Sequence, residues 1–232
     1  MSQEKWRRCG FVCGIAYVAL AIVGSDVLAG RGEAPGLDAT QDRIGGYVAN
    51  NPPTVQEWAG GYIEVLALLF FVCFLASLWS FLHRAEGANG VLATTTLGAG
   101  LVAVAVKFAG FPAAATLSFR ASEGVDSQLA AALMDMNNFS FVLTGALNAV
   151  VLMGTAAIVI QTLALPRWLG WSAVVIALGL LAGGAAATSG TIFLPMLLYL
   201  VWVVVASVIL FRRTKEDGTV AAGGQGFSTE IT

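Results

Sequence analysis

Charged side chains are scarce in this chain. Asp, Glu, Lys and Arg make up 11% of its 232 residues, whereas hydrophobic residues make up 57%. Soluble domains carry about 25% charged residues, so the chain lacks the polar surface that a water-soluble fold of this size needs. Its formal net charge of -2 supplies no basic field that would attract nucleic acid. The composition predicts a protein whose solvent is the lipid bilayer, with no nucleic-acid partner.

Residues that hold cofactors are equally few. His83 is the only histidine, so one chain cannot supply a bis-histidine haem or a multi-histidine zinc site. The three cysteines, Cys9, Cys13 and Cys73, form no Cys-x-x-Cys motif, which argues against a redox pair or a disulfide framework. Cys9 and Cys13 share a helix face, and we interpret them as packing residues rather than metal ligands. The sequence predicts no cofactor and no metal, and it favours a non-catalytic protein over an enzyme.

What the chain does contain is a set of six long apolar runs. Each has about the 20 residues with which an α-helix spans a bilayer, and each is continuous, which is not typical of membrane β-strands. Residues 1–213 are therefore predicted to form an all-α bundle of six transmembrane helices. The spans are expected at about residues 10–29, 61–82, 91–111, 139–163, 168–187 and 192–211. We expect the Gly-rich segment 214–232 to be a disordered cytoplasmic tail.

Basic residues between the runs are unevenly distributed. Eight of them fall on one side of the predicted membrane and three on the other. The positive-inside rule places the richer side, and with it both termini, in the cytoplasm of a multi-pass membrane protein. The eight are Lys5, Arg7, Arg8, Arg84, Arg167, Arg212, Arg213 and Lys215, and the three are Arg31, Arg43 and Arg120.

The first run admits a second interpretation. A basic start, an apolar core and Val27-Leu-Ala29 resemble a cleavable signal peptide. Cleavage would leave five spans and an outer N-terminus. The apolar run is longer than a typical signal core, and Asp26 lies three residues before the cleavage point. We therefore favour a retained first span.

Polar residues recur along one side of the fourth span. At about 100° per residue, Asn137, Ser140, Thr144, Asn148 and Thr155 share one helix face. In hydrocarbon such a stripe must face other helices or a wet cavity. It is either a set of interhelical hydrogen bonds or the wall of a polar pathway or ligand pocket.

Three ionisable residues interrupt the spans near their outer ends. Lys107, Glu64 and Asp26 lie on three different helices and form a candidate intramembrane charge cluster. Lys107 shares a helix face with the small residues Gly100 and Ala103, which lets that face approach a neighbour. We expect Lys107 either to pair with Glu64, or less readily with Asp26, or to extend its long side chain to the outer headgroups.

The two longer outer loops carry short helical patterns. Ile44, Tyr47 and Val48 share a face, and Asp38 is a candidate N-cap, so we expect an amphipathic helix lying on the membrane surface. Residues 129–136 have helical apolar spacing, which predicts that the fourth span extends outward.

Two segments resemble a known group of proteins. They are GGYIEVLALLFFVCFLASLWSFLHRAEG, at residues 60–87, and LALPRWLGWSAVV, at residues 163–175. With the outer loop after the first span, the chain resembles, over most of residues 8–212, a family of small bacterial six-helix integral membrane proteins of unknown function. The resemblance implies a bacterial inner-membrane protein and no catalytic residues.

The sequence leaves more than one function open. We expect non-catalytic binding of a lipid or protein partner within the membrane. The alternative is a small transporter or channel subunit that uses the polar stripe and the outer charges. A membrane enzyme is least supported. Candidate partners are the bilayer lipids, another membrane protein or a second copy of the chain.

Overall fold

The computed structural model describes residues 3–28, 34–51, 54–120, 123–186 and 191–224, and gives the backbone alone for residues 3–8, 26–28, 57 and 214–224. Within these ranges the chain forms α-helices joined by turns, and no strand. The helices are α1 (Gln3–Leu28), α2 (Gln41–Asn50), α3 (Val55–Glu86), α4 (Val91–Arg120), α5 (Ser127–Thr162), α6 (Arg167–Ala185) and α7 (Phe193–Gly224).

Five of these helices are long and apolar enough to cross a membrane. They cover Trp58–Glu86, Val91–Arg120, Ser127–Thr162, Arg167–Ala185 and Phe193–Arg213. The described apolar part of α1, Cys9–Ser25, is shorter. The prediction of an all-helical protein with several membrane-length helices is confirmed to this extent, and a sixth span in α1 stays a prediction.

The helices extend beyond several of the predicted spans. α4 continues through Pro112 to Arg120. α5 begins at Ser127, before the span predicted from residue 139, which confirms the helical extension that the apolar spacing of residues 129–136 predicts. The helical backbone of α7 continues to Gly224, into the segment for which composition predicts disorder. Residues 29, 187 and 225–232 of the predicted spans and tail lie outside the described residues.

The long helices pack as an antiparallel bundle. α3 contacts α1 and α4, α5 contacts α4 and α6, and α7 contacts α1 and α6. Glycines allow the closest approaches. A methyl group on Gly10 would lie 3.2 Å from the carbonyl oxygen of Cys73, and one on Gly24 would lie 3.2 Å from that of Gly60. The start of α1 therefore lies beside the later part of α3, and its end beside the start of α3.

Two tight connections align the helices at one end of the bundle. Between α3 and α4, the carboxylate of Glu86 accepts hydrogen bonds from the backbone N–H groups of Leu92 (2.9 Å) and Ala93 (2.8 Å), and so caps α4. Between α5 and α6 the chain reverses at Leu163, whose φ is 56°. The ends of α3, α4, α5 and α6 therefore lie at about the same height here. The differences in the lengths of these helices appear at the opposite end of the bundle.

We call the part of the bundle in which α1 and α3 to α7 lie side by side the six-helix layer. The other end of the bundle, which we call the α2 end, projects beyond this layer. α5 has 36 residues and α6 has 19, so at 1.5 Å per residue they are roughly 54 Å and 28 Å long, against a hydrocarbon core of about 30 Å. Ile192, directly before α7, packs against α5 at Gly145, where a methyl group would lie 3.2 Å from its side chain. The first four turns or so of α5 therefore extend past this contact.

α2 packs its apolar face against this projection. Ile44 and Val48 are only 2% and 8% exposed, because they pack against Leu117, Ala130 and Ala131 of α4 and α5. The apolar face that we expected to lie on the membrane surface therefore packs against protein, because the extended ends of α4 and α5 cover it. The position of α2 relative to the membrane stays a prediction. The N-cap is also different from the predicted Asp38. The side chain of Thr40, directly before the helix, accepts from the N–H of Arg43.

A candidate binding cavity at the α2 end

A cavity of about 300 Å³ lies where α2 and the adjoining ends of α3, α4 and α5 meet. This volume is at the lower limit of small-molecule sites, which span about 300–1,000 Å³. Most of its wall is apolar, and includes Val65, Leu68, Phe108, Phe111 and Met134. The polar residues of the wall are Tyr47, Asn51, Trp58, Glu64, Lys107, Ser118 and Asn137.

Two of the three predicted charges meet in the cavity wall. Lys107 Nζ lies 3.9 Å from Glu64 Oε2, and the two side chains are 25% and 26% exposed. Lys107 Nζ also lies 5.7 Å from the centroid of the Phe141 ring, within the range of a cation–π contact. The ammonium group is therefore held between α3 and α5. The side chain of Asp26, the third predicted member, lies outside the described part of the chain.

Two glycines, one on α1 and one on α3 itself, allow close packing around Glu64. A methyl group on Gly24 of α1 would lie 3.0 Å from Glu64 Cγ, so the stem of the glutamate packs directly on the α1 backbone. One on Gly61 would lie 2.8 Å from the ring of Phe111, so α4 also approaches α3 closely here. With α1 behind its stem, the carboxylate is directed towards α4 and Lys107.

The pair lies near the boundary of the six-helix layer. Thr144 Oγ1 lies 3.5 Å from the carbonyl oxygen of Ala103, one turn from Lys107, and Thr144 is next to Gly145, against which Ile192 packs. From Lys107, α4 continues to Arg120, which is roughly 20 Å at 1.5 Å per residue. The sequence placed Lys107 near the outer end of a span predicted to finish at about residue 111. The helix itself extends much farther, because Pro112 does not terminate it.

The predicted polar stripe is divided between two environments. Asn137 lines the cavity. The hydroxyl groups farther along bond mainly to their own helix: Ser140 donates to the carbonyl of Asn137 (2.6 Å), Thr144 to that of Ser140 (2.7 Å) and Thr155 to that of Val151 (2.8 Å). The Thr144 hydroxyl oxygen also lies near the carbonyl oxygen of Ala103 in α4. Asn137, the stripe residue nearest the α2 end, is therefore the only one of the five that faces the cavity.

Close packing of α4 against α5 encloses the rest of the stripe. A methyl group on Gly110 would overlap Ser140 Oγ, and one on Gly154 would overlap Thr96 Oγ1. Asn148, between these points, is 2% exposed. Its Oδ1 has no hydrogen-bond partner among the described residues.

The potential metal ligands do not converge. In the described ranges, no group of three or more His, Cys, Asp or Glu side chains is arranged to hold a metal ion. The three cysteines are free thiols. His83 stacks on Trp79, with ring centroids 5.2 Å apart.

Sequence reasoning did not identify the cavity itself. It found Lys107, Glu64 and Asn137, but not the aromatic residues Phe108 and Phe111 or the α2 residues that complete the wall. The apolar face of α2 was a visible signal. Its partner could have been inferred only by recognising that residues 112–120 continue α4 and thereby offer that face a surface.

No protein-family model, curated protein or solved structure matches the chain. The function is therefore argued from the site alone.

Proposed function

We propose that the chain is a multi-pass protein of the bacterial inner membrane, with six spans, both termini in the cytoplasm and the α2 end outside. The eight-to-three distribution of basic residues supports this orientation. The contacts of α1 along α3 support a first span that stays in the bundle, because Gly10 and Gly24 both pack against α3.

We further propose that the protein binds a small lipid-like amphiphile, without catalysis, in the cavity at the α2 end. The observation that carries this proposal is the composition of the cavity wall, in which one ion pair is set among apolar and aromatic side chains. Ligand sites typically combine a mostly apolar wall with a few placed polar groups. In the proposed orientation those polar groups lie at the level of the outer headgroups, because Lys107 is near the rim of the six-helix layer.

Binding is favoured over the transport alternative by the packing of α5. A transport path along the stripe would need polar groups facing a continuous space. Ser140 and Thr155 instead bond to their own helix, and Gly110 and Gly154 hold α4 against α5 on either side of Asn148.

Photo-crosslinking of the purified full chain tests the binding proposal. The probe is a monoacylglycerol with a diazirine in its acyl chain, whose headgroup carries no charge. We expect crosslinks concentrated in residues 58–68 and 108–118, and their displacement by excess unlabelled monoacylglycerol. Crosslinks spread evenly over the lipid-facing sides of all the long helices would overturn the proposal.

Two alanines of α4 provide a matched pair of variants. Ala115 lines the cavity, whereas Ala109 is exposed and is not part of the cavity wall. Ala115→Phe should fill part of the cavity and abolish the localised crosslinks. Ala109→Phe adds the same ring to the same helix outside the cavity and should leave them unchanged.

A further inference from the structure

The charges of the cavity specify the polar end of its ligand. Among the described residues that line the cavity, Lys107 and Glu64 alone carry a charge. They offset each other, so the part of the wall that the structure describes is neutral overall. A ligand with a single charge would leave a net charge in a partly desolvated site, and an uncompensated charge in such surroundings is costly.

The ion pair also leaves bonding capacity unused. An ammonium group has three donors and a carboxylate about four acceptor positions, and the 3.9 Å contact between Lys107 and Glu64 uses at most one of each. About a quarter of each side chain remains accessible. A ligand can therefore approach both groups at once without separating them.

We infer that the ligand is a zwitterionic amphiphile, in which an ammonium group and an acidic group adjoin an apolar moiety. This rests on the proposed function. The acidic group binds at Lys107 and the ammonium group at Glu64, so the four charges alternate in sign. The apolar part packs against Leu68, Phe108 and Phe111. A zwitterionic lipid and a free apolar amino acid share this chemistry.

Competition against the uncharged photoprobe tests the inference on the native protein. The competitors are lysophosphatidylethanolamine (zwitterionic), lysophosphatidylglycerol (anionic) and monoacylglycerol (uncharged), all with the same acyl chain, and L-tryptophan. We expect the zwitterionic lipid to displace the probe at a concentration at least about tenfold lower than the anionic or uncharged lipid. Displacement by L-tryptophan as well would identify a free zwitterion as sufficient, and its failure would assign the lipid.

Neutralising one of the two charges at a time should change which competitor displaces the probe best. In Glu64→Gln the remaining Lys107 should favour the anionic lipid, and in Lys107→Met the remaining Glu64 should favour a primary alkylamine. A merely structural ion pair would not produce these opposite shifts. Correct folding of each variant is checked by its gel-filtration profile, and the ranking on the native protein needs no variant.

The experiments distinguish a cavity that binds amphiphiles without charge selectivity from a cavity that binds none. If the anionic or uncharged lipid competes as well as the zwitterionic one, or if the variants keep the native ranking, the cavity binds amphiphiles without regard to charge and the inference is wrong. If the probe shows no localised crosslinks at all, the binding proposal itself fails.

Discussion

At the scale of single residues, the contact between Lys107 and Glu64 is intermediate between two well-understood cases. Exposed salt bridges contribute about 0–1 kcal/mol, whereas removing one partner of a fully buried pair costs about 3–5 kcal/mol. With side chains 25% and 26% exposed, this pair is partly desolvated. The stem of Glu64 against Gly24 and the ring of Phe141 beside Lys107 restrict both groups.

A double-mutant cycle measures the strength of this pair. We expect Lys107→Met and Glu64→Gln each to lower the melting temperature in detergent, because each leaves one partly buried charge unpaired. The double variant should recover much of the loss, with a coupling free energy of about 1–2 kcal/mol. Strictly additive losses would show that the two charges do not stabilise each other.

The Arg120–Glu123 pair is a matched control for this cycle. It also joins a basic and an acidic side chain at the α2 end, but its members are 56% and 58% exposed. We expect Arg120→Gln and Glu123→Gln to change the melting temperature little and to show a coupling well below about 1 kcal/mol.

At the scale of helices, the contact between α4 and α5 depends on glycines, which have no side chain to separate the two helices. In lipid the hydrophobic effect does not drive helices together, so association relies on close van der Waals packing and interhelical hydrogen bonds. Thr96 lies directly against Gly154, and its hydroxyl is held by a 2.8 Å hydrogen bond to the carbonyl of Leu92. Moving that hydroxyl would break the bond.

Gly154→Ala should therefore destabilise the protein by about 1–3 kcal/mol through overpacking. Its methyl group would overlap Thr96 Oγ1 but would lie 3.4 Å from Thr96 Cβ. Adding Thr96→Ala removes the oxygen and should restore much of the stability. Thermal unfolding in detergent measures both effects, and a double variant less stable than Gly154→Ala would refute this account of the contact.

Gly98 serves as the control for this pair of substitutions. It also lies within α4, but no atom lies within 4 Å of a methyl group placed there. Gly98→Ala should be neutral or slightly stabilising, because alanine has the higher helix propensity.

At the scale of the whole molecule, the proposed orientation places α2 and the cavity outside the cell. The connections between α3 and α4 and between α5 and α6 then lie in the cytoplasm with Arg84 and Arg167. If the first span were cleaved as a signal peptide, Gly10 and Gly24 of α1 would be lost, and with them the support for Glu64.

Single cysteines in a background without Cys9, Cys13 and Cys73 test this orientation. We expect Gln41→Cys and Gln128→Cys to react with a membrane-impermeant thiol reagent in intact cells, and Ala88→Cys to react only after lysis. All three positions are exposed. Labelling of Ala88→Cys in intact cells, with protection of the other two, would invert the orientation.

The sequence by itself determined the helical class of the protein and which polar residues interrupt its apolar runs. Apolar runs of membrane length dictate helices, because every backbone polar group in hydrocarbon must be satisfied within its own segment. A single histidine and isolated thiols limited the options for cofactors. Lys107, Glu64 and Asn137 stood out because polar groups are rare in such runs.

Only the tertiary structure decided where those polar residues lie and what surrounds them. The continuation of α4 beyond Pro112 is a matter of packing, since α2 and the ends of α4 and α5 bury one another's apolar faces. That packing forms the cavity, brings Phe108 and Phe111 to its wall and places Lys107 at the rim of the six-helix layer. The periodicity of one helix cannot reveal these features, because each depends on contacts between residues far apart in the chain.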